Sequence, residues 1–376
     1  MINTLHVYKT FLSDTFGGVE QVIAQIAMTD ATSDFNHTVV SLSKKSHQTH
    51  LNEFGIKNIR YKEDACFSSN AMSYSLLRDF GKLAKQYDLI HYHFPWPFAD
   101  MMHGLWRIKK PSIMTYHSDI VRQKQMLRFY RPLMNYFLSS VDQLVATSPN
   151  YLASSEVLQQ HQQKVTVIPI GLNKNSYPVP TEELKAYWRG RLGERFFLFV
   201  GVMRYYKGLH ILLEAIQQTT YPVVLVGTGP IEVELKARAK ALNLTNLHFL
   251  GALSDLDKTT LLQLCTCLVF PSHLRSEAFG VSLLEGAMFG KALISSEIGT
   301  GTSYINLDGK TGLVVPPNDP IALRKAMAFV WDNPAINEAM GQQAEARYLE
   351  FFTGNQMVKA YEKLYLDVVH KKNNRA

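Results

Sequence analysis

Short runs of apolar residues alternate with amphipathic stretches along the whole chain. Strand-like runs in the first half are LHVY, HTVVSL, LIHYH, SIMTY, QLVAT and VTVIP, and in the second half FFLFV, PVVLVG, LHFLG, CLVFPS and KALISS. Most are continuous rather than alternating, which is typical of parallel strands buried on both faces. Helical patterns lie between them, for example Gly208–Gln218 and Ile231–Leu242. The alternation predicts an α/β, doubly wound architecture.

The strand–helix pattern occurs twice, and one loop-like stretch separates the two occurrences. This stretch, IPIGLNKNSYPVPTEEL from Ile168, has few apolar residues and reads as a linker. We predict one domain over 1–172 and a second over 173–355. The segment TGNQMVKAYEKLYLDVVH that follows predicts an amphipathic helix, and KKNNRA predicts a frayed tail.

Composition and cysteine content place the chain among globular proteins. Of its 376 residues, 46% are hydrophobic and 19% are charged. The three cysteines are too few for a disulfide framework, and the run LLQLCTCLVF reads as one buried strand, so we expect a reducing compartment. We find neither a signal peptide nor an apolar run of the roughly 20 residues that span a membrane. A soluble or peripheral protein is expected.

The positive charge is unevenly distributed. The net charge is +7, and residues 101–140 hold seven Lys or Arg against the single acid Asp119. Such a basic surface suits a phosphate-rich partner, such as an anionic membrane, a lipid diphosphate or a nucleic acid.

Candidate ligand-binding residues follow the strands, because ligands of open α/β sheets bind outside the carboxyl ends of the strands. Gly17 and Gly18 open a helix after LHVY, where backbone N–H groups could approach an anion; an ordinary flexible turn is an equal alternative. His117 follows SIMTY and could hydrogen-bond a sugar hydroxyl or share a proton. A buried histidine bonded to backbone is as consistent with the sequence.

Two further loops carry candidate chemistry. Arg204 and Lys207 follow FFLFV beside a glycine. Two cations at a helix N-terminus favour a diphosphate-binding site, and two solvated loop cations are the alternative. Gly227 begins the turn GTG after PVVLV. The turn lacks the complete dinucleotide fingerprint, so we interpret it as a tight turn beside a bound nucleotide.

Two carboxylates flank the start of one helix in SEAFGVSLLEGAMFG. Glu277 stands at the carboxyl end of the strand CLVF, and Glu285 lies about one and a half turns inside the helix that follows. A carboxylate accepts two hydroxyl bonds, so a ribose or a hexose suits each of them. The alternative for Glu285 is a helix-face residue paired with a lysine across a domain surface.

The spacing Glu277-x7-Glu285, with GGVE, YHSD, GVMRYYKG, GTGP and DGKTGLVVPPND in order along the chain, resembles the retaining GT-B glycosyltransferases of the GT4 group. The phrases SDIVRQK, ATSPNYL and SSEIGTGTSYIN are most similar to bacterial mannosyltransferases of O-antigen or exopolysaccharide synthesis. The resemblance covers nearly the whole chain. It implies two Rossmann-like doubly wound domains facing a cleft, with the helix in 356–376 crossing back onto the first domain.

The resemblance also implies roles for the candidate residues. Arg204 and Lys207 would hold the diphosphate and stabilise the leaving group, Glu277 would bind sugar hydroxyls, and His117 would bond the transferred sugar. The remaining implied contacts are with the nucleotide-sugar donor, and they involve Gly17, Gly18, Gly227, Leu253, Phe279, Gly280, Val281 and Glu285. Neither a cofactor nor a metal ion is implied, because the cations stabilise the leaving group.

The reaction implied is transfer of a hexose from a nucleotide diphosphate to an acceptor hydroxyl, with retention at the anomeric carbon. GDP-mannose is the expected donor, with mannose as the transferred sugar, and a UDP-sugar is the alternative donor. The stretch from Arg107 to Phe137 mixes cations with aromatic residues, which favours peripheral contact with an anionic membrane over a solvated face of a core helix. A lipid-linked saccharide acceptor on the inner face of the cytoplasmic membrane would explain it.

Two other classes of function remain as alternatives. A non-catalytic protein that binds nucleotide-sugars or anionic polymers would not need four charged or titratable residues aimed at one site, and the basic cluster is too local for a nucleic-acid groove, so we expect no nucleic-acid partner. An epimerase or phosphorylase of the same fold is the other alternative.

Overall fold

The computed structural model describes residues 1–12, 14, 17–28, 34–45, 49–53, 55–67, 70–120 and 124–374, of which 49–53 and 124–127 are described by backbone alone. It divides into two compact units, one of residues 1–171 with 354–376 and one of 172–353. We call these the first unit and the second unit.

The strands of the described residues form one sheet in each unit and one small hairpin. Their bounds are β1 (Ile2–Val7), β2 (Phe35–Ser43), β3 (Thr49–Glu53), β4 (Ile56–Lys62), β5 (Ala65–Phe67), β6 (Asn70–Met72), β7 (Leu89–Phe94), β8 (Ser112–Tyr116), β9 (Gln143–Ala146), β10 (Val165–Val167), β11 (Phe197–Val200), β12 (Val223–Val226), β13 (Leu247–Gly251), β14 (Cys267–Phe270), β15 (Ala292–Ser296) and β16 (Gly312–Val315).

The helices of the described residues connect these strands. Their bounds are α1 (Gly18–Ala27), α2 (Tyr74–Lys85), α3 (Pro97–Leu105), α4 (Lys124–Ser140), α5 (Pro149–Ser154), α6 (Glu156–Gln160), α7 (Glu182–Leu192), α8 (Leu209–Ala215), α9 (Glu232–Ala241), α10 (Asp255–Leu264), α11 (Val281–Met288), α12 (Thr302–Ile305), α13 (Pro320–Asp332), α14 (Pro334–Phe351) and α15 (Gly354–Asn373).

The sheet of the first unit has the strand order β10-β9-β8-β7-β1-β2-β4-β3. All of its neighbours pair in parallel except β3, which runs antiparallel to β4 at the edge. The strand order reverses direction between β1 and β7, and this reversal is the point at which doubly wound sheets bind ligands.

The sheet of the second unit is entirely parallel, in the order β13-β12-β11-β14-β15-β16. Counted within the unit this is 3-2-1-4-5-6, the order of a dinucleotide-binding Rossmann sheet. The central strands β11, β12 and β14 are built from FLFV, VVLV and CLVF, which are buried throughout. Side chains buried on both faces explain why these runs are continuous rather than alternating. The α/β prediction with two Rossmann-like sheets is confirmed.

Several predicted elements have different limits in the structure. The run LLQLCTCLVF is not one strand: Leu261–Leu264 end α10, and only Cys267–Phe270 are extended. The predicted tail is partly wrong as well, because α15 continues through Lys371 and Lys372 to Asn373. The strands β3 to β6 and β16 were not predicted.

Helix α15 belongs to the first unit, although it is the last element of the chain. Two of its tyrosines are buried against the sheet of that unit. The hydroxyl of Tyr365 lies 2.9 Å from Nδ1 of His91, and the hydroxyl of Tyr361 lies 2.9 Å from Oγ1 of Thr115. The sequence-based division placed its boundaries after residues 172 and 355.

No helix in the described part of the chain is both long enough and apolar enough to cross a membrane.

Candidate active site

The loops after β11 and β14 pack together at the reversal of strand order in the second unit. A short 3₁₀ turn, Tyr205–Lys207, follows β11, and Gly208 ends it with a φ of 70°. A Cβ at Gly208 would clash with the carbonyl oxygen of Pro271, and the amide of His273 donates to the carbonyl of Tyr206 over 3.0 Å. Two features therefore require glycine at this position: its backbone is left-handed, and the backbone of Pro271 approaches it too closely for a Cβ.

Lys207 and Glu277 form a buried ion pair in these two loops. Each residue is only 8% exposed, and Nζ of Lys207 contacts Oε2 of Glu277. The hydroxyl of Ser272 donates to the same oxygen over 3.4 Å, and Nζ lies 4.6 Å from the ring centroid of Phe270. Burying two charges costs several kcal/mol per ion, so such a pair is poor evidence for a stabilising role.

Arg204 stands at the start of the same turn and is exposed. Its side chain is thus available to an anion from solvent, whereas that of Lys207 already faces a carboxylate. The two predicted diphosphate ligands therefore have different surroundings.

The loop from Glu277 leads directly into the N-terminus of α11. Gly280 caps the helix with a φ of 98°, Phe279 is buried, and Val281 is half-buried as the first helical residue. A second loop holds this cap, because the amide of Gly301 donates to the carbonyl of Ala278 over 2.8 Å. The positive end of the helix dipole thus lies a few residues after Glu277, in a loop that this hydrogen bond anchors.

Glu285 lies inside α11 and is 4% exposed. Its Oε1 accepts from the hydroxyl of Tyr177 over 2.9 Å and from Nζ of Lys258 over 3.2 Å. Burial alone would lower the pKa of Lys258, but the carboxylates of Glu285 and Asp255 raise it above its ordinary value. The pairing with a lysine that we gave as the alternative is therefore present, although Lys258 belongs to the same unit and not to a surface between domains. The ribose contact stays a prediction.

Gly227 and its neighbours pack the turn after β12 against the loop after β11. A Cβ at Gly227, where φ is 126°, would clash with the carbonyl oxygen of Gly201. The amide of Met203 also donates to the carbonyl of Thr228 over 2.9 Å. The glycine is thus explained by backbone packing beside Arg204. Leu253, after β13, is half-buried.

An Asp-x-Asp spacing that the sequence analysis overlooked occurs at Asp255 and Asp257. Both residues lie in the first turn of α10, where Asp255 pairs with Lys258 and Asp257 accepts from the indole of Trp188 over 3.0 Å. These contacts anchor the start of the helix.

His117 directly follows β8 in the first unit and is buried. Its Nε2 lies 3.0 Å from Nδ1 of His93, and its amide donates to the carbonyl of Phe94 over 3.1 Å. Burial lowers the pKa of His117 to about 3, so its imidazole is neutral at physiological pH.

Gly17 and Gly18 begin α1, as predicted from the glycine pair. A Cβ at Gly17 would clash with Oε2 of Glu20, whose carboxylate is buried and accepts from the hydroxyl of Thr10 over 2.6 Å. A carboxylate of the chain itself therefore lies against this helix N-terminus, and any bound anion would have to share the site with it.

The aromatic residues of the predicted basic segment do not share one face. Phe137 is buried in the core, and Tyr130 donates to the buried carboxylate of Asp100, whereas Phe129 is 87% exposed and Tyr136 is half exposed. Of the aromatic residues from Phe129 to Phe137, only Phe129 and Tyr136 are therefore available to a membrane surface, and the membrane contact stays a prediction. Arg122 lies outside the described residues, as does the side chain of Lys124.

The structure thus brings Lys207, Glu277, Phe279 and Gly280 together at one edge of the second sheet, and places Glu285 in a separate cluster on the same helix. Sequence reasoning missed the partners of these residues, which are Ser272, Tyr177, Lys258, Glu20 and His93. Lys258 and Tyr177 lie in a helix and in the predicted linker, so no strand-end signal marked them.

Comparison with known proteins agrees with this geometry. Residues 16–175 match the family described as "Glycosyltransferase Family 4", and residues 181–347 match "Glycosyl transferases group 1". A D-rhamnosyltransferase of Pseudomonas aeruginosa is 54% identical over 94% of this chain and 92% of its own. An O-antigen chain mannosyltransferase of Escherichia coli is 45% identical over 99% of this chain and 100% of its own.

The chain belongs to the GT4 glycosyltransferases and is a glycosyltransferase of the GT-B fold type. Among solved structures, a sucrose-phosphate synthase from Thermosynechococcus elongatus superposes with a TM-score of 0.80 over 99% of this chain and 100% of its own, at 18% identity. A likeness at that identity supports the fold alone. The family resemblance inferred from the Glu277-x7-Glu285 block is confirmed.

Proposed function

We propose that the protein transfers a hexose from a nucleotide-diphosphate sugar to a saccharide acceptor in surface polysaccharide synthesis. GDP-mannose is the donor we favour, with mannose as the transferred sugar. The names of the two similar proteins, a D-rhamnosyltransferase and an O-antigen mannosyltransferase, support a sugar of the manno series. The single observation that carries the proposal is the buried Lys207–Glu277 pair beside the N-terminus of α11.

The charges at this edge of the second sheet, around Lys207, Glu277 and the N-terminus of α11, fit a donor with a diphosphate next to a sugar. The exposed guanidinium of Arg204 and the positive end of α11 attract the phosphates. Lys207 neutralises Glu277, so that the carboxylate does not repel the anion and can accept hydroxyl groups of the sugar. Once the donor is bound, Lys207 is also placed to stabilise the leaving phosphate.

Charge compensation by Arg204, Lys207 and the helix dipole is part of the proposal, with no metal ion. The acceptor hydroxyl attacks on the face that the phosphate leaves, and the leaving phosphate takes its proton, which accounts for retention without an enzymatic nucleophile. Glycosyl transfer that persists undiminished in excess EDTA is the expected result, and loss of turnover that Mg²⁺ restores would contradict it.

The first test is a thermal-shift titration with GDP, UDP and ADP on the parent and on Glu285→Gln and Lys207→Ala. A ligand at one hundred times its dissociation constant stabilises a protein by about 2.7 kcal/mol. We expect GDP to raise the melting temperature of the parent and to raise that of both variants less. Glu232→Gln is the matched control, because Glu232 pairs with Lys236 on the surface of the same unit. Equal shifts in all four proteins would contradict the assignment of these residues.

A second test distinguishes the donor sugars. D-rhamnose is the 6-deoxy form of D-mannose, so GDP-mannose and GDP-D-rhamnose differ by one hydroxyl group. A site that hydrogen-bonds a hydroxyl discriminates against the analogue lacking it by orders of magnitude, whereas an apolar pocket discriminates weakly. Initial rates with both sugars and with UDP-glucose measure which kind of site is present. Comparable rates with UDP-glucose would contradict the GDP-sugar proposal.

We also propose that the first unit contacts an anionic membrane on the cytoplasmic face, where a lipid-linked acceptor would lie. Exposed apolar and cationic side chains occur together at the end of α3 and along α4. They are Leu105, Trp106, Arg107, Arg128, Phe129, Arg131 and Tyr136. Aromatic rings at the headgroup level and cations near anionic lipids stabilise such contacts.

Flotation with phosphatidylglycerol vesicles tests this contact. We expect Phe129→Ala with Arg131→Glu to weaken binding several-fold and to leave nucleotide binding unchanged. Val233→Ala is the control, because Val233 is an apolar residue of the second unit that is 83% exposed, close to the 87% of Phe129. Parent protein that binds neutral phosphatidylcholine vesicles equally well would contradict an electrostatic contact.

A further inference from the structure

Four buried histidines form a continuous chain of ring-to-ring contacts across the sheet of the first unit. Nδ1 of His37 lies 2.8 Å from Nε2 of His6, Nδ1 of His6 lies 3.2 Å from Nε2 of His93, and Nδ1 of His93 lies 3.0 Å from Nε2 of His117. His37, His6 and His93 belong to β2, β1 and β7, and His117 directly follows β8. The series of contacts thus crosses the reversal of strand order and ends at His117, for which the family resemblance implies a contact with the transferred sugar.

In each of these three contacts, Nδ1 of one histidine faces Nε2 of the next histidine towards His117. Each contact needs one proton between its two nitrogens, and each neutral ring has one N–H. A change of direction anywhere would put two protons or none into one contact. Two arrangements therefore remain for four neutral rings. Either every ring carries its proton on Nδ1, or every ring carries it on Nε2.

The far end of the chain selects between these arrangements. Nε2 of His37 is buried and has no hydrogen-bond partner among the described residues. If every proton were on Nε2, this atom would be a buried donor without an acceptor, which is the rarer kind of unsatisfied group in proteins. Protons on Nδ1 leave only an unused lone pair at His37, and all three donors then point towards His117.

We propose that His93, backed by His6 and His37, holds His117 in the Nδ1–H tautomer, so that the ring nitrogen of His117 that His93 does not engage is a neutral N–H donor and never a lone pair. The role towards the substrate rests on the proposed function, whereas the tautomer does not. A neutral donor would bind a sugar or phosphate oxygen without adding a charge to the site. His93, His6 and His37 are positioning residues, since they act through His117.

The surroundings of the rings support four neutral imidazoles. Burial lowers the pKa of His37 to about 4 and the pKa values of His6 and His93 well below their ordinary value. The alternative hypothesis is that some of these histidines bind a metal ion, because His6, His91 and His93 have ring nitrogens within 4.8 Å of one another. All six of those nitrogens already have partners, which for His91 are Tyr365 and Thr115.

The tautomer can be measured without any substrate. Two-bond ¹H–¹⁵N correlation spectra of the full-length, histidine-labelled protein distinguish Nδ1–H from Nε2–H, and the signals are assigned from single His→Gln variants. We expect His37, His6, His93 and His117 all to carry the proton on Nδ1. An Nε2–H signal for any of the four, or loss of the N–H signals of His6 and His93 with one equivalent of Zn²⁺, would overturn the proposal.

Matched variants test the functional consequence. His93→Phe removes the donor to His117, and we expect kcat to fall about ten- to hundredfold, as for loss of one hydrogen bond in the transition state, with little change in KM. His91→Phe is the control, since His91 is equally buried, lies two residues away on the same strand, and has its ring nitrogens hydrogen-bonded to Tyr365 and Thr115. His93→Asn, whose amide nitrogen occupies the place of Nδ1, is expected to restore most of the rate.

Failure of this proposal differs from failure of the proposed function. A parent protein that transfers no hexose but shows four Nδ1–H rings would refute the function and leave the tautomer standing. Active protein in which His93→Phe and His91→Phe lose the same fraction of kcat would refute the positioning role alone.

Discussion

The two units of the protein use the same fold and place their polar chemistry in opposite parts of it. In the second unit the central strands are wholly apolar, and the charged residues Lys207 and Glu277 lie in the loops beyond them. In the first unit polar side chains are buried within the strands themselves. They include Thr4, His6, His37, Ser41, Asn58, His91, His93 and Thr115.

The difference shows what a parallel sheet needs if it is to hold polar groups. Side chains on adjacent parallel strands lie next to one another, so a buried histidine can find its partner one strand away. The chain of rings from His37 to His117 meets this need across four strands. The central strands β11, β12 and β14 of the second sheet have no such need, because their side chains are apolar and the charged residues lie in the loops that follow them.

The largest difference between the two units is expected in how their stability responds to acid. Burial lowers the pKa values of six histidines in the first unit, namely His6, His37, His91, His93, His103 and His117. Above the ordinary value of about 6.5 both states are neutral. Below it the unfolded chain binds protons that the folded unit does not, so stability is lost as pH falls towards about 4.

One group in the first unit acts with the opposite sign. Burial raises the pKa of Asp100 to about 8, so this carboxyl group stabilises the fold increasingly as pH falls below that value. One proton offsets only a small part of six. Hydrogen exchange followed by mass spectrometry at about pH 7 and pH 5 should show the first unit losing protection first. Earlier opening of the second unit would contradict this.

Lys207→Ala tests whether the loop chemistry of the second unit is catalytic. We expect kcat to fall about a hundredfold or more, because the leaving phosphate loses a cation and Glu277 becomes a buried charge without its partner. Lys236→Ala removes a cation from an exposed ion pair of the same unit and should leave initial rates unchanged. Parent-like turnover in Lys207→Ala would remove this residue from the mechanism.

Gly227→Ala tests the packing of the loops that carry the charges. The new Cβ would clash with the carbonyl oxygen of Gly201, so we expect a loss of at least about 2 kcal/mol in the free energy of unfolding. Gly251→Ala is the control, because Gly251 has a φ of 69° and open space at its Cβ position. That change should cost only about 1 kcal/mol in denaturant titrations. Equal costs would show that strain, and not close packing, sets the requirement.

Tyr361→Phe tests the polar interior of the first unit with the smallest expected effect. It removes one hydrogen bond to Thr115, worth about 1 kcal/mol, and keeps the ring. The loss should appear in the hydrogen-exchange protection of the first unit and not of the second. Tyr205→Phe, at an exposed tyrosine of the second unit, is the control.

The second unit was the easier one to predict from sequence. Runs such as FLFV and CLVF are continuous because both faces are buried, and the residues that follow them, Arg204 to Lys207 and Glu277, are marked by position alone. Ion-pair partners such as Lys258 could not be found in this way, since α10 brings that lysine to Glu285 only through tertiary packing.

The first unit shows where sequence reasoning stops. His117 could be singled out because it ends a strand, but His6, His37 and His93 sit inside apolar runs and carry no signal of their own. Their contacts depend on which strands are neighbours and in what register, and strand order is not written in local sequence. The short strands β5 and β6 were missed because three residues are too few for a period to be recognised.

The docking of α15 on the first sheet has a consequence for biosynthesis. The second unit is one continuous segment, 172–353, and can fold as soon as that segment has left the ribosome. The first unit is interrupted by it, and the hydroxyl partners of His91 and Thr115 are not made until residues 361–365 have been translated. The first unit therefore begins to be synthesised before the second, but the hydrogen bonds of its sheet to Tyr361 and Tyr365 can form only after the second unit has been translated.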